Sequence, residues 1–150
     1  MKKLSWLFVL LIVIMTSCEG ELDQNSTEAK AIKETVKKEL FKQENCWNNG
    51  DIDCFMTSYW NNDSLMFVSG ETVSFGWQKV TDNYKARYSS KELMGQLSFK
   101  VNKMDLLSKE SLFVAGQWKL VNVNDEFKGE FTLLWKKIEE EWKIVIDHTS

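Results

Sequence analysis

From Leu97 to the C-terminus the chain alternates apolar and polar residues in four consecutive segments: Leu97–Leu107, Ser111–Val123, Gly129–Ile138 and Trp142–Thr149. A period of two presents one apolar face per strand. The breaks between segments are too short for a crossover helix; Asn124-Asp125 and Glu139-Glu140-Glu141 are two of them. Only hairpins can join such strands, so this half must fold as an antiparallel meander. Proline is absent, so the turns rely on Gly, Asn and Asp.

The sheet's apolar face needs a cover, and the first half supplies helices. Ala29, Ile32, Val36, Leu40 and Trp47 mark one face at near-helical spacing, with Lys and Glu opposite. Asn25 to Thr27 offer capping side chains, and Asn48-Asn49-Gly50 ends the helix. Asp51 or Asp53 then caps a short helix bearing Cys54, Phe55, Met56 and Tyr59, which Asn61-Asn62-Asp63 breaks. Ser64 to Ser69 reads as a strand with a turn at Gly70. A helix over about Gly76 to Tyr88 places Trp77, Val80, Tyr84 and Tyr88 on one face, and Ser89 to Gly95 reads as a loop. Helices first and a long antiparallel sheet after them make an α+β domain, with helices packed on one sheet face. A twisted sheet wrapped against helices leaves a cone-shaped cavity, a favoured place for a pocket.

The N-terminus carries a different message. Lys2 and Lys3 precede an apolar stretch from Leu4 to Met15, followed by Thr16, Ser17 and Cys18. Positive start, apolar core and small residues at the cut are the layout of a secretory signal. The apolar run falls short of the roughly 20 residues that a membrane-spanning helix needs. Met15-Thr16-Ser17-Cys18 looks like a lipobox, which makes Cys18 the lipidated residue. Several acyl chains on one cysteine anchor stably where a single chain binds only marginally. The expected division is a lipoprotein signal peptide over 1–17, an acidic and polar tether over 18–26, and one domain over 27–150. The expected location is outside the cytoplasm, lipid-anchored to a bacterial membrane and facing periplasm or cell surface.

Roughly 130 residues after the signal can bury a real core without a disulfide scaffold. The net charge is −3, and Arg87 is the only arginine. Phosphate backbones need clustered positive charge, so nucleic acid is not an expected partner. With Cys18 acylated, Cys46 and Cys54 remain, flanking a tight helix-to-helix turn. An oxidising compartment permits a bridge between them, and two buried thiols are the alternative. One histidine and two cysteines without a Cys-x-x-Cys pair do not complete a zinc set, and no cofactor motif appears.

Three segments of the C-terminal half carry a resemblance. Gly116-Gln117-Trp118-Lys119-Leu120, Gly129-Glu130-Phe131-Thr132-Leu133-Leu134-Trp135-Lys136-Lys137, and the closing Trp142-Lys143-Ile144-Val145-Ile146-Asp147-His148-Thr149-Ser150 resemble the nuclear transport factor 2-like superfamily, in its SnoaL-like, domain-of-unknown-function branch. The first half agrees, with Trp47-Asn48-Asn49-Gly50-Asp51, an aromatic short helix and Ser64-Leu65-Met66-Phe67-Val68, so the resemblance spans roughly 28–150. It implies a cone-shaped α+β fold, frequent homodimerisation through the sheet, and a pocket between sheet and helices. The superfamily holds isomerases, dehydratases and cyclases as well as members without known chemistry. Its kinase association domain ends in a similar Trp-x-x-Val-His-x-His-x-Ser, where Ile146 here replaces the first His.

Candidate site residues follow from position and chemistry. His148 lies in the last strand, where alternation puts it on the face of Trp142, Ile144 and Ile146 with Asp147 pointing the other way. It is a candidate acid–base group or polar pocket contact, or else a strand-end structural histidine. Asp63, after the second helix, is the candidate carboxylate base, although turn-forming Asp is the commoner role. Tyr59, Trp60, Trp77, Tyr84, Trp118 and Trp135 are candidates for the pocket wall, against a plain aromatic core. No nucleophile elbow, phosphate loop or metal box is present. The sequence therefore points to a membrane-tethered domain holding a small, partly apolar ligand. The alternatives are a cyclase-, isomerase- or dehydratase-type enzyme using His148 or Asp63, and a dimeric interaction domain.

Overall fold

The structure, a computed structural model, describes residues 22–150. Cys18 and the expected signal segment before it lie outside the described residues. No helix among the described residues is long and apolar enough to cross a membrane.

The order is α1 (Thr27–Asn48), α2 (Ile52–Met56), β1 (Met66–Ser69), β2 (Thr72–Phe75), α3 (Trp77–Arg87), α4 (Lys91–Met94), β3 (Gln96–Ser108), β4 (Ser111–Val121), β5 (Glu126–Ile138) and β6 (Glu141–Thr149). Ser26 caps α1 by accepting a hydrogen bond from the Ala29 amide, and Asp51 caps α2 through the Cys54 amide. Two short elements depart from the sequence reading. Thr72–Phe75 is a strand, paired as a hairpin with β1, and Lys91–Met94 is a helical turn inside the expected loop. Each is four residues long, too short for a periodic signal to emerge.

The six strands form one sheet in the order β2-β1-β6-β5-β4-β3, antiparallel throughout except for the parallel pairing of β1 with β6. The helices cover one face, so the α+β architecture expected from the sequence is the one observed. Between that face and the helices lie Val36, Leu40, Met56, Leu65, Leu112, Val114, Trp135 and Ile144, each at most 3 % exposed. Burial of each such side chain is worth about 1.5–3 kcal/mol.

Long α1 runs beside β3, the outermost strand, and its polar residues occupy that strand's free edge. The Gln24 side chain, just ahead of the helix, both donates to Leu106 O (2.7 Å) and accepts from Leu106 N (2.9 Å). Glu44 accepts from Phe99 N (2.8 Å), and Asn48 makes the same two-way pair with Leu97. Unpaired edge groups are thus satisfied by side chains instead of a further strand. Gln24, read from sequence as part of the tether, is tied to the sheet.

Two register shifts decide which residues face the helices. In β3, Val101 pairs with Gly116 but Lys103 pairs with Ala115, leaving Asn102 as an extra residue. In β6, Ile144 pairs with Trp135 but Ile146 pairs with Leu134, leaving Val145 as the extra residue. An extra residue reverses the in–out alternation beyond it and sharpens the local bend. The β6 shift lies where the strand changes neighbours. Ile144 N donates to Ser58 O and Ile144 O accepts from Trp60 N, both at 2.9 Å, before β1 takes over at Ile146.

Candidate functional site

Beyond the two bulges the inner sheet face is not filled, and a pocket of about 810 Å³ opens between it, the end of α1, α2 and α3. Cross-strand register defines its floor. Ser74, Phe67, Asp147 and Leu133 lie in one row, and Thr72, Ser69, Thr149, Phe131 and Gly116 lie in the next. Gly116 is structural here: a Cβ on it would come within 2.5 Å of the Phe131 ring and 2.6 Å of Lys100 O. Its bare backbone lets that ring lie across the sheet, edge-on to Phe99 with centroids 5.5 Å apart.

The wall is aromatic. Trp47 from α1 meets Phe55, Tyr84 and Tyr88 edge-on, with centroids 5.1, 5.9 and 4.7 Å away. Phe67 packs against Tyr84 at 5.7 Å. The sequence has three tyrosines, and Tyr59, Tyr84 and Tyr88 all line this one cavity, together with the single arginine. Such convergence is more than a core requires, because phenylalanine packs as well without a hydroxyl to satisfy.

The polar centre is Asp147, only 5 % exposed. Its Oδ2 accepts a hydrogen bond from the Tyr59 hydroxyl at 2.7 Å, while Oδ1 is buried with no partner among the described residues. Burial pushes its carboxyl up to about 7, against a smaller opposing effect of the Tyr59 hydrogen bond. Burial, with the Asp147 charge adding to it, raises both the Tyr59 and Tyr84 hydroxyls, so both tyrosines stay protonated donors at neutral pH. The arrangement is an acid that is half neutral near physiological pH, beside two phenols, on an apolar wall. It can give or accept a hydrogen bond, or move a proton, at the free Oδ1.

The sequence-based candidates divide. Tyr59, Tyr84 and Trp118 line the pocket. Trp135 does not; it is wholly buried at the filled end of the sheet, opposite Leu112 and Ile144. Trp77 holds α3 to α2 by donating to Met56 O at 3.0 Å, and Trp60 pairs through its backbone with Ile144; neither lines the cavity. His148 is exposed on the outer face, opposite Thr132 and Val68, so its expected position beside Trp142 and Ile144 is corrected. The extra residue Val145 is the reason: strict alternation points His148 inward, and the shift turns Asp147 inward instead. Asp63 is exposed in the turn before β1, outside the pocket, and is not brought near His148. Cys46 and Cys54 are disulfide-bonded with Cα atoms 5.4 Å apart, tying the end of α1 to α2. The bridge braces the stretch that presents Trp47 and Phe55. Asp147 was missed because the signal for it, a bulge, has no mark of its own in Ile144-Val145-Ile146.

Comparison with solved structures places this geometry. A protein of unknown function from Shewanella oneidensis MR-1, described as NTF-2 like, superposes with a TM-score of 0.78 at 37 % identity, over 79 % of this chain and 98 % of its own. A nuclear transport factor 2-like superfamily protein from Salmonella enterica serovar Typhimurium LT2 gives 0.66 at 14 % identity, covering 81 % of this chain and 91 % of its own. An NTF2-like protein of unknown function from Pseudomonas putida KT2440 gives 0.64 at 11 %, covering 81 % and 87 %. The last two speak to fold alone. No protein-family profile and no curated protein sequence matches the chain.

Proposed function

The chain belongs to the nuclear transport factor 2-like family, and from that premise we propose that it is a binding protein whose cone pocket holds a small, partly apolar molecule. The observation that carries this reading is the unpartnered Oδ1 of Asp147 on the wall of an aromatic cavity of about 810 Å³. A buried polar atom without a partner costs about 1–3 kcal/mol, and a ligand oxygen or N–H there recovers it. Thermal-shift screening of the 22–150 domain against aromatic ketones, phenols and carboxylates tests it. A ligand at a hundred times its Kd raises stability by about 2.7 kcal/mol. That shift is expected for at least one class and is expected to weaken in Asp147→Asn; a flat response across the panel overturns the reading.

A second reading is acid–base catalysis with Asp147 in the place first given to His148 or Asp63. It is favoured by a carboxyl held near 7, where both of its protonation states are populated at neutral pH. Solvent-deuterium exchange at carbon next to the carbonyl of bound ketones, followed by NMR, is expected in the native domain and lost in Asp147→Asn. Exchange at the uncatalysed rate removes this reading and leaves the first.

Two further parts of the reading concern surroundings. The Leu4–Met15 run and the Met15-Thr16-Ser17-Cys18 sequence support a lipid tether, so Cys18→Ser is expected to release the protein from the membrane fraction. On the outer sheet face Phe75, Met66, Ile146, Leu134 and Phe113 lie in register as an apolar row, and Val73 and Phe75 are 50 % and 57 % exposed. That row supports pairing of two copies through the sheet, and a monomer in light scattering counts against it.

A further inference from the structure

We infer that the ligand is an amphipathic organic anion, its apolar body on the aromatic wall and its carboxylate- or sulfonate-type group held at the mouth by Arg87. The inference rests on the pocket reading above and adds the charge and orientation of what binds. Helix α3 carries it. Asn83 and Arg87 stand one turn apart on this helix, and both border the cavity. The guanidinium carbon of Arg87 is 5.7 Å from the centroid of the Tyr88 ring, itself part of the wall. An aromatic face supports the planar fork while leaving its edge N–H groups free for a carboxylate. Its positive charge is felt inside the pocket, where it acts on the Tyr84 hydroxyl.

The charges around the mouth leave that cation available. Among the described residues no ion pair includes Arg87 or Lys128, the two cations bordering the pocket. The acid at the rim, Glu126, is already engaged by Lys119 at 2.8 Å. The only other acidic side chain in the lining is Asp147, deep in the pocket and largely uncharged below neutrality. A chain of net charge −3 thus places its one arginine, without an acidic partner among the described residues, at the edge of an aromatic pocket. From Tyr84 to Arg87 the helix rises about 4.5 Å, and the arginine side chain adds to it, so a ligand spanning both contacts is on the order of 10 Å long. A bound cation would instead leave Arg87 repelling it.

Two fluorescent probes differing only by a sulfonate test the inference: 1-anilinonaphthalene-8-sulfonate and neutral N-phenyl-1-naphthylamine. The protein is the 22–150 domain, which contains every core residue among those described and aligns with 98 % of the crystallised Shewanella chain. The sulfonate is expected to bind at least tenfold tighter, and Arg87→Gln is expected to bring the two probes within about twofold without changing the neutral one. Arg87 is exposed, so the fold does not depend on it. Equal binding of both probes to the native domain overturns the anion inference and leaves the pocket reading standing. A preference for the sulfonate that survives Arg87→Gln overturns the role given to Arg87. If neither probe binds the native domain, both readings fall together.

Discussion

The inner face of one sheet has two fates along its length. Toward Leu106, Leu112, Trp135 and Ile144 it is sealed, with side chains at most 5 % exposed. Toward Phe99, Trp118, Phe131 and Thr149 it stands open as the pocket floor. The boundary falls at the bulges of Asn102 and Val145. The same alternating strands therefore build a core on one side and a cavity on the other. What separates them is the bend introduced by two extra residues. Core and cavity are divided along the strands instead of between domains.

Substitutions at the two ends should separate in kind. Trp135→Ala empties the sealed end and is expected to cost about 3–5 kcal/mol in urea unfolding. Trp118→Ala, on a partly exposed pocket wall, is expected to cost less than half as much while weakening probe binding. Comparable losses would dissolve the division.

Asp147 gives the open end a pH signature. Its carboxyl stands at about 7 in the folded chain, against 3.8 for an unperturbed aspartate. Between those values the unfolded chain is the more deprotonated, so stability falls as pH rises. The loss begins near pH 4 and is complete above about 7, where it amounts to roughly 4 kcal/mol. Asp147→Asn is expected to flatten this profile, measured as Tm from pH 4 to 9. A native profile as flat as the variant's would mean that the carboxyl is solvated.

Breaking the Cys46–Cys54 bridge by a double serine substitution is expected to cost about 2–3 kcal/mol, because the loop it closes is short. The loss should fall together with a change in Trp47 fluorescence, since the bridge braces that wall. His148→Ala sits at the small end, within about 0.5 kcal/mol and without effect on probe binding, as expected of an exposed side chain.

Much of this was legible in residue order. Alternation in the last four strands and the spacing of Ala29, Val36, Leu40 and Trp47 rest on local physics, as do the caps, which residue order narrowed to Asn25–Thr27 and to Asp51 or Asp53 and the structure assigns to Ser26 and Asp51. The pocket tyrosines were legible too, because Tyr84 sits on the apolar face of α3 and Tyr59 follows the aromatic α2, three residues past its end at Met56. Asp147 and His148 were read inside out. A bulge arises when a strand changes partners, here from residues 58–60 to β1, and no property of Val145 announces that exchange. Trp135 and Trp118 look alike in sequence; only the register tells that one lies before the bend and the other beyond it.

The clamps that Gln24, Glu44 and Asn48 place on β3 reach further than the helix they belong to. They join residues 82, 55 and 49 positions apart in the chain, so the strand's outer edge stays bare until the N-terminal helix has docked. During folding that edge is the natural template for annealing one copy to another. The first helix thus shields the sheet's edge from a second copy, and an N-terminal truncation through Asn48 is expected to leave that edge open to strand exchange.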